Sequence, residues 1–263
     1  MAATLKVVIF CGGQGLRIRE VADDVPKPLV CIGGEPVLIH LMRYYAHFGY
    51  RDFVLCIGYR GDAIRGYFSR QEGAISGQSP DTILLTLAQP APWRVTFVDS
   101  GVDASIGERL LAARSVLDDA DVFLANYADG LTDLHLPSYV GEAISSGATA
   151  TFIAVRPNLT YHFVESDADG RVVRMGPIAS ELWINGGYFV FRRELFDSMR
   201  DGEDLVEEPF RRLIGAGQLR VHRYGGFYAS LDTLKDKVML DGLVASGKAP
   251  WELWRSLPAV LKA

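Results

Sequence analysis

The stretch VVIFCGGQGLRI, Val7 to Ile18, decides the architecture. An apolar run stops at three glycines, Gly12, Gly13 and Gly15, and an arginine, Arg17. With its flanks, LKVVIFC (5–11) is rich in β-branched residues and too short for a helix, so it reads as a buried strand. Glycines directly after a buried strand let the backbone approach a ligand closely, and exposed amides there favour anions. A plain tight turn fits the same residues, and G-G-x-G alone does not separate the two. Two phosphate loops are excluded. The fingerprint G-x-G-x-x-G needs glycine where Ile18 stands, and the Walker pattern needs Gly-Lys-Ser/Thr, whereas Lys27 is followed by Pro28.

Downstream, strand-length runs alternate with helical patterns. EPVLIHLMRYYAHFG (35–49) sets Val37, Leu41, Tyr44, Tyr45 and Phe48 on one helical face, with Pro36 near its start and Gly49 as its stop. DFVLCIG (52–58) is a strand, DAIRGYFSR (62–70) a helix, and a turn-rich insert with Gly73, Gly77 and Pro80 follows. Then come strand RVTFVDS (94–100), helix ERLLAARSVLDD (108–119) and strand DVFLANY (121–127). This rhythm predicts an α/β fold with a mostly parallel, Rossmann-like mixed sheet flanked by helices. After ATATFIAV (148–155) the texture changes to short strands, HFVESD, GRVVRM and INGGYFVF. A charged helix near 206–216, strand QLRVHRY and an amphipathic helix from Thr233 complete a small C-terminal β/α elaboration. No repeat or linker interrupts the chain, so 1–263 reads as one domain, divided into 1–155 and 156–263.

Composition bounds the partners. At 49% hydrophobic and 22% charged residues the chain is ordinary for a soluble protein. No apolar run approaches the roughly 18 residues of a membrane span, and no signal peptide is evident. Cys11, Cys31 and Cys56 match no metal template and read as small buried hydrophobes kept reduced, so the expected location is cytoplasmic. A net charge of −5 without a basic stripe argues against nucleic acid as a partner. Lysine is oddly placed: after Lys6 and Lys27 there is none until Lys235. Any phosphate met in mid-chain must be met by arginine, backbone amides or a metal. Lys27 itself stands between two prolines in VPKPLVCIGGEP, which offers its ammonium from a stiff segment. An arginine and a rigid lysine around a glycine turn suit a triphosphate.

Asp129, in ADGLTD, follows a buried strand and precedes Gly130, which places it at the carboxyl edge of the sheet, where open α/β sheets bind ligands. Asp232, in YASLDTLKD, stands just before a helix. Hard carboxylate oxygens with substrate phosphates are how Mg²⁺ is usually held. A turn aspartate for Asp129 and a helix N-cap for Asp232 are the plain alternatives. Asp133 reads as a solvated loop residue.

CGGQGLR followed by PKPLVCIGGEPVLIHLM resembles the opening of the sugar-1-phosphate nucleotidyltransferases, whose pattern is G-G-x-G-[ST]-R-[LM] and then P-K-P. Within that superfamily the likeness is to the glucose-1-phosphate cytidylyltransferases. It is carried further by DFVLCIGYRG (52–61), WRVTFVDSG (93–101), WINGGYFVF (183–191) and GFYASLDTLKDKVMLDGLVASGKAPWELW (226–254), and covers roughly residues 5–255. The resemblance implies transfer of a nucleotide, CMP from CTP, to a phosphorylated acceptor with release of pyrophosphate. It implies Lys27 and Arg17 as catalytic cations and Asp129 and Asp232 as ligands of Mg²⁺. Gly12, Gly13, Gly15 and Arg109, the last in SIGERL (105–110), bind the nucleotide in this picture. Residues 1–155 then form the nucleotide-binding core, and 156–263 carry acceptor contacts, including Asn185. It also implies a homo-oligomer. A solvated cation at a helix start is the alternative for Arg109.

Three departures bear on function. Leu16 replaces the usual Thr or Ser before Arg17, and Ala128 stands where glycine is usual before Asp129. The third is larger. The family's Glu-Lys-Pro, whose lysine grips the sugar phosphate, has no counterpart in RVVRMGPIASELWINGG beyond Pro177. Arg174 is the candidate substitute, with a planar fork in place of a point charge, or else an exposed strand arginine. The acceptor is therefore expected to differ from ordinary glucose 1-phosphate. Two other readings compete: a nucleotide-sugar glycosyltransferase of related architecture, and a lapsed relative that binds nucleotide without turnover. The segment 66–81 reads as a lid, an interface arm or a surface loop.

Overall fold

An apolar run without a polar face must be covered on both sides, and β1 (Lys6–Phe10) lies at the centre of the main sheet. The computed structural model describes residues 5–15, 25–76, 81–85 and 91–256. After β1 come a small hairpin, β2 (Cys31–Ile32) and β3 (Glu35–Pro36), then α1 (Val37–His47), β4 (Asp52–Ile57) and α2 (Gly61–Ser69). Next are β5 (Ala74–Ser76), β6 (Thr82–Leu85), β7 (Trp93–Asp99), α3 (Ile106–Ala112), β8 (Val122–Tyr127), β9 (Gly130–Thr132), α4 (Leu136–Ser145) and β10 (Ala150–Val155). The second part adds the hairpin β11 (His162–Ser166) and β12 (Val172–Pro177), α5 (Ile178–Glu181), β13 (Ile184–Arg192), α6 (Glu208–Gly215), β14 (Leu219–Arg223), β15 (Tyr228–Ser230) and α7 (Leu234–Ala245).

The nine-stranded sheet has the order β14-β10-β13-β8-β1-β4-β7-β6-β5. Only β13 and β6 run against the other strands, so the expected mixed, mostly parallel sheet is observed. Alternate residues of β1 serve opposite faces. Val7 and Ile9 pack with α1, α2 and α4, while Val8 and Phe10 pack with α3 and α6. No helix among the described residues is long and apolar enough to cross a membrane.

Several local expectations change. The turn-rich insert after α2 contributes β5 and β6, which extend the sheet edge, β6 antiparallel to β7 and β5 antiparallel to β6; residues 77–80 of the 66–81 segment lie outside the described residues. The helix read over 108–119 begins earlier and stops sooner. Ser105 and Glu108 form a reciprocal capping box, and beyond Ala112 the chain tightens into a 3-10 turn, Arg114–Leu117. Helix α1 buries nine residues instead of one stripe, because the C-terminal segment carrying Trp251 covers the side away from the sheet. Helix α7 is not amphipathic in practice: Leu240 alone is buried, and Leu234 and Val238 are exposed. Its partly buried Met239, Leu243 and Val244 pack against the core, and it is held further at the β2–β3 turn, where Asp241 accepts from the Gly33 amide at 2.8 Å. Gly33 has a φ of +59°, and a Cβ there would lie 2.3 Å from Val244, so only glycine admits this contact.

Candidate active site

The winding reverses at β1. From it the chain steps out to β4 and β7, then crosses to β8 on the other side of β1. Such a switch point opens a crevice beyond the carboxyl ends of the strands. Here those ends are Cys11–Gly15 after β1 and Ala128–Asp129 after β8, and a cavity of about 780 Å³ lies over them.

Three charged groups meet in this cavity from distant parts of the chain. Lys27 opens a 3-10 turn between Pro26, at φ −62°, and the buried Pro28, closed by the Leu29 amide on Pro26 O at 2.8 Å. Its ammonium donates to the Asp129 carboxylate and to Asp232 Oδ1 at 2.9 Å. The aspartates are brought together by a short ladder. β9 pairs antiparallel with β15, Gly130 opposite Ser230, and the Leu231 amide donates to Asp129 O at 3.1 Å. Tyr188 Oη donates to Gly130 O at 2.9 Å, and Ser230 Oγ donates to Asp232 Oδ2 at 2.8 Å.

The N-cap reading of Asp232 is resolved by its neighbour. Thr233 caps α7: its hydroxyl accepts from the Asp236 amide, and Asp236 accepts from the Thr233 amide at 2.8 Å. Among the described residues the Asp232 carboxylate engages Lys27 and Ser230.

Burial alone would lower the Lys27 pKa, but the charge and hydrogen bond of Asp129, followed by those of Asp232, outweigh it and raise the pKa. Burial also raises Tyr228, which lines the cavity, and the negative charges of Asp129 and Asp232 raise it further. Tyr127 is pushed up to about 12 by burial, then by Asp204 and Asp129. Both phenols therefore stay neutral beside the carboxylates. Paired carboxylates with a phosphate-bearing substrate are a donor set that suits Mg²⁺, and the ammonium between them marks a place for positive charge. Among the described residues no group of three or more His, Cys, Asp or Glu side chains could hold a metal by itself.

The glycine turn divides its labour. Gly13 and Gly15 line the cavity, while Gly12 faces Arg109. Arg109 is 3% exposed, so it is not a solvated cation at a helix start. Its Nη1 donates to Ser100 Oγ at 2.8 Å and Gly101 O at 2.9 Å, and its Nη2 to Gly12 O at 3.0 Å and Val102 O at 3.1 Å. It does not line the cavity. Its place is behind the turn, where it ties Gly12 to the loop after β7. A Cβ at Gly12 would lie 1.9 Å from Nη1, whereas a Cβ at Gly13 would meet nothing within 4 Å. Gly12→Ala is accordingly expected to cost about 1–3 kcal/mol of stability in denaturant titration. Gly13→Ala should leave stability unchanged and weaken nucleotide binding measured by calorimetry.

Asn185 lines the cavity and faces the Tyr127 hydroxyl. Arg174 does not line it: on β12 it packs over Phe163 and pairs with Glu181 at 2.9 Å and Glu165 at 3.3 Å. Its guanidinium is thus engaged by carboxylates of β11 and α5, away from the cavity lining. Asp133 is not solvated either. It accepts from Tyr224 Oη at 2.5 Å and the Phe227 amide at 2.8 Å, and so fastens the segment leading into β15. Arg17 and Leu16 lie outside the described residues. Ser230, Tyr188 and Tyr228 were not singled out from the sequence. The alternation in GFYASLD, leading to Asp232, is the signal that could have found Ser230 and Tyr228.

Residues 6–225 match the Nucleotidyl transferase family, and the chain belongs to that family. Among its relatives are glucose-1-phosphate cytidylyltransferases. One from Salmonella typhi is 34% identical over 256 residues, covering 95% of this chain and all of the relative. A Bacillus subtilis (strain 168) protein named as a probable glucose-1-phosphate cytidylyltransferase is 33% identical over 255 residues, with the same coverage. The fold is shared with the crystal structure of HddC from Yersinia pseudotuberculosis, at a TM-score of 0.68 and 18% identity over 91% of this chain and 99% of that one. The protein is thus a nucleotidyltransferase of the sugar-1-phosphate class with cytidylyltransferase relatives, and the glycosyltransferase reading is set aside.

Proposed function

We propose that the protein transfers CMP from CTP to a phosphorylated acceptor other than ordinary glucose 1-phosphate, with Mg²⁺ as cofactor and pyrophosphate as the leaving group. The observation that carries this reading is the Lys27 ammonium bridging Asp129 and Asp232 at the switch point of the sheet. The cytidylyltransferase relatives support the choice of base.

An oxygen of the acceptor phosphate attacks the α-phosphorus of the nucleotide in line. A new P–O bond forms there as the bond to the bridging oxygen breaks, and that electron pair leaves with pyrophosphate. The attacking oxygen is already ionised, so neither a protein base nor a covalent nucleophile is needed, and the work is positioning and charge stabilisation. Lys27, on its stiff turn, holds the α-phosphate and the acceptor side. Arg17 takes the departing pyrophosphate. Gly13 and Gly15 let the backbone reach the triphosphate, and Arg109 keeps their turn in place through Gly12. Asp129 and Asp232 would hold the Mg²⁺, which when bound neutralises charge on the phosphate oxygens. The acceptor assignment rests on the absent Glu-Lys-Pro and on Arg174 being paired with Glu165 and Glu181.

The test is pyrophosphate release from each of the four NTPs and dTTP, with Mg²⁺, against sugar 1-phosphates, cyclitol phosphates and small phosphonates. The expected result is release with CTP and an acceptor that outperforms glucose 1-phosphate. Preference for another nucleotide, or for glucose 1-phosphate over the whole panel, overturns the corresponding part of the reading.

A further inference from the structure

The carboxyl edge of the sheet does not end at Asp129. Because β13 runs against both β8 and β10, its first residues lie at the same edge as the last residues of β8, β10 and β14. Following the strand order from Asp129, the edge passes Ile184 and Asn185, then Val155 and Arg156, then Arg223. At about 4.8 Å per strand, β10 lies roughly 10 Å and β14 roughly 14 Å from β8. That is too far for a group on the reacting phosphate itself, but within reach of the far end of a sugar-sized acceptor.

Two cations wait at that distance around one indole. The Arg156 guanidinium carbon lies 4.0 Å from the centre of the Trp183 ring, and that of Arg223 lies 5.5 Å from the same ring. Arg156 is fixed further by Nη1, which donates to Ser180 O at 2.9 Å and Leu182 O at 3.1 Å. Arg223, Ala154 and Asn185 occupy one row across β14, β10 and β13, and residues opposed across strands share a face. Arg223 therefore lies on the face of Asn185, which lines the cavity, with only an alanine between them. Among the described residues neither arginine pairs with a carboxylate, in contrast to Arg174 with its two glutamates. A guanidinium held over an aromatic ring can still direct its remaining N–H donors to a planar or tetrahedral anion.

We propose that Arg156 and Arg223 form a subsite for a second anionic group of the acceptor, phosphate or carboxylate, at the end remote from the phosphate that reacts. The subsite rests on the transferase reading above and names the acceptor class: a doubly anionic sugar-sized phosphate. Trp183 is a positioning residue that presents the two cations.

The test compares glucose 1-phosphate with glucose 1,6-bisphosphate and glucuronic acid 1-phosphate as co-substrates of CTP, in the wild type and in Arg156→Gln and Arg223→Gln. The wild type is expected to favour at least one doubly anionic acceptor over glucose 1-phosphate by about 10-fold or more in kcat/KM, the size of one charge-assisted hydrogen bond. Each substitution should bring that ratio close to 1, and the preferred probe tells phosphate from carboxylate. A wild-type ratio near 1 for both probes overturns the subsite, as does a ratio that survives in both variants. Calorimetric binding of the same three acceptors to protein loaded with a non-hydrolysable CTP analogue separates the two levels of the reading. Loss of pyrophosphate release from every pair counts against the transferase reading. The subsite still stands or falls on whether doubly anionic acceptors bind more tightly in an Arg156- and Arg223-dependent way.

Discussion

Lys27→Met is expected to lower kcat/KM by about 10²–10³, or roughly 3–4 kcal/mol of transition-state stabilisation, in the pyrophosphate-release assay. The substitution removes an ammonium that a stiff turn directs into the cavity, and no other lysine of the chain lies between residues 28 and 234. Lys27→Arg should not restore the rate, because a planar fork cannot occupy the place of a point charge between Asp129 and Asp232. The variant remains folded, since all three side chains keep some exposure, 16% for Lys27, 21% for Asp129 and 28% for Asp232. Leaving two carboxylates without their cation there costs about 1–2 kcal/mol. The contribution has a defined pH dependence. The Lys27 pKa is raised in the folded protein, so its stabilisation is complete below the ordinary lysine value of 10.5 and fades as pH climbs through the raised value. The melting temperatures of wild type and Lys27→Met should therefore stay a constant interval apart from neutral pH to 10.5, where the carboxylates are ionised, and converge above it. A wild-type rate in Lys27→Met would remove the residue from the mechanism, and an interval that widens above pH 10.5 would remove the ion pair.

The legible part of this protein was the part built from continuous runs. β1, β4 and β8 announce themselves because strands covered on both faces are apolar throughout, and the glycines and prolines that punctuate them place Lys27 and Asp129 at the carboxyl edge. The pairing of Asp129 with Asp232 comes from the resemblance alone, because in the fold it depends on the three-residue strands β9 and β15, too short to leave a periodic signal. Arg109 is tied to the nucleotide by resemblance, with a solvated cation at a helix start as the alternative, and only the folded chain shows its four acceptors, three in the loop after β7 and one at Gly12 in the glycine turn. For Arg174 the sequence leaves an acceptor contact and an exposed strand arginine side by side, because its acidic partners Glu165 and Glu181 are supplied across a hairpin and from α5. In each case the side chain's role is set by what a distant segment brings to it.

Asp232→Asn together with Thr233→Ala separates function from capping at the start of α7. The two residues are adjacent, and a helix N-cap is the plain alternative for Asp232 in the sequence. In the folded protein the cap is Thr233, through its reciprocal bonds with Asp236, while Asp232 turns both carboxylate oxygens toward the site. Asparagine preserves the shape of the side chain and one acceptor oxygen, so the ladder between β9 and β15 should survive. It removes the charge that faces Lys27 and that would face the metal. The expected loss is about 10²-fold or more in kcat/KM, with a stability change below about 1 kcal/mol. Thr233→Ala should behave in the reverse way: about 1 kcal/mol less stable, the usual cost of a lost N-cap, with turnover at the wild-type level. If Asp232→Asn turned over normally while destabilising the protein as much as Thr233→Ala, the aspartate would be a helix-terminal residue after all, and the Lys27 ion pair would carry structure alone. A normal rate in Thr233→Ala beside a depleted one in Asp232→Asn leaves the neighbouring carboxylate, and not the helix start, as the group on which transfer depends.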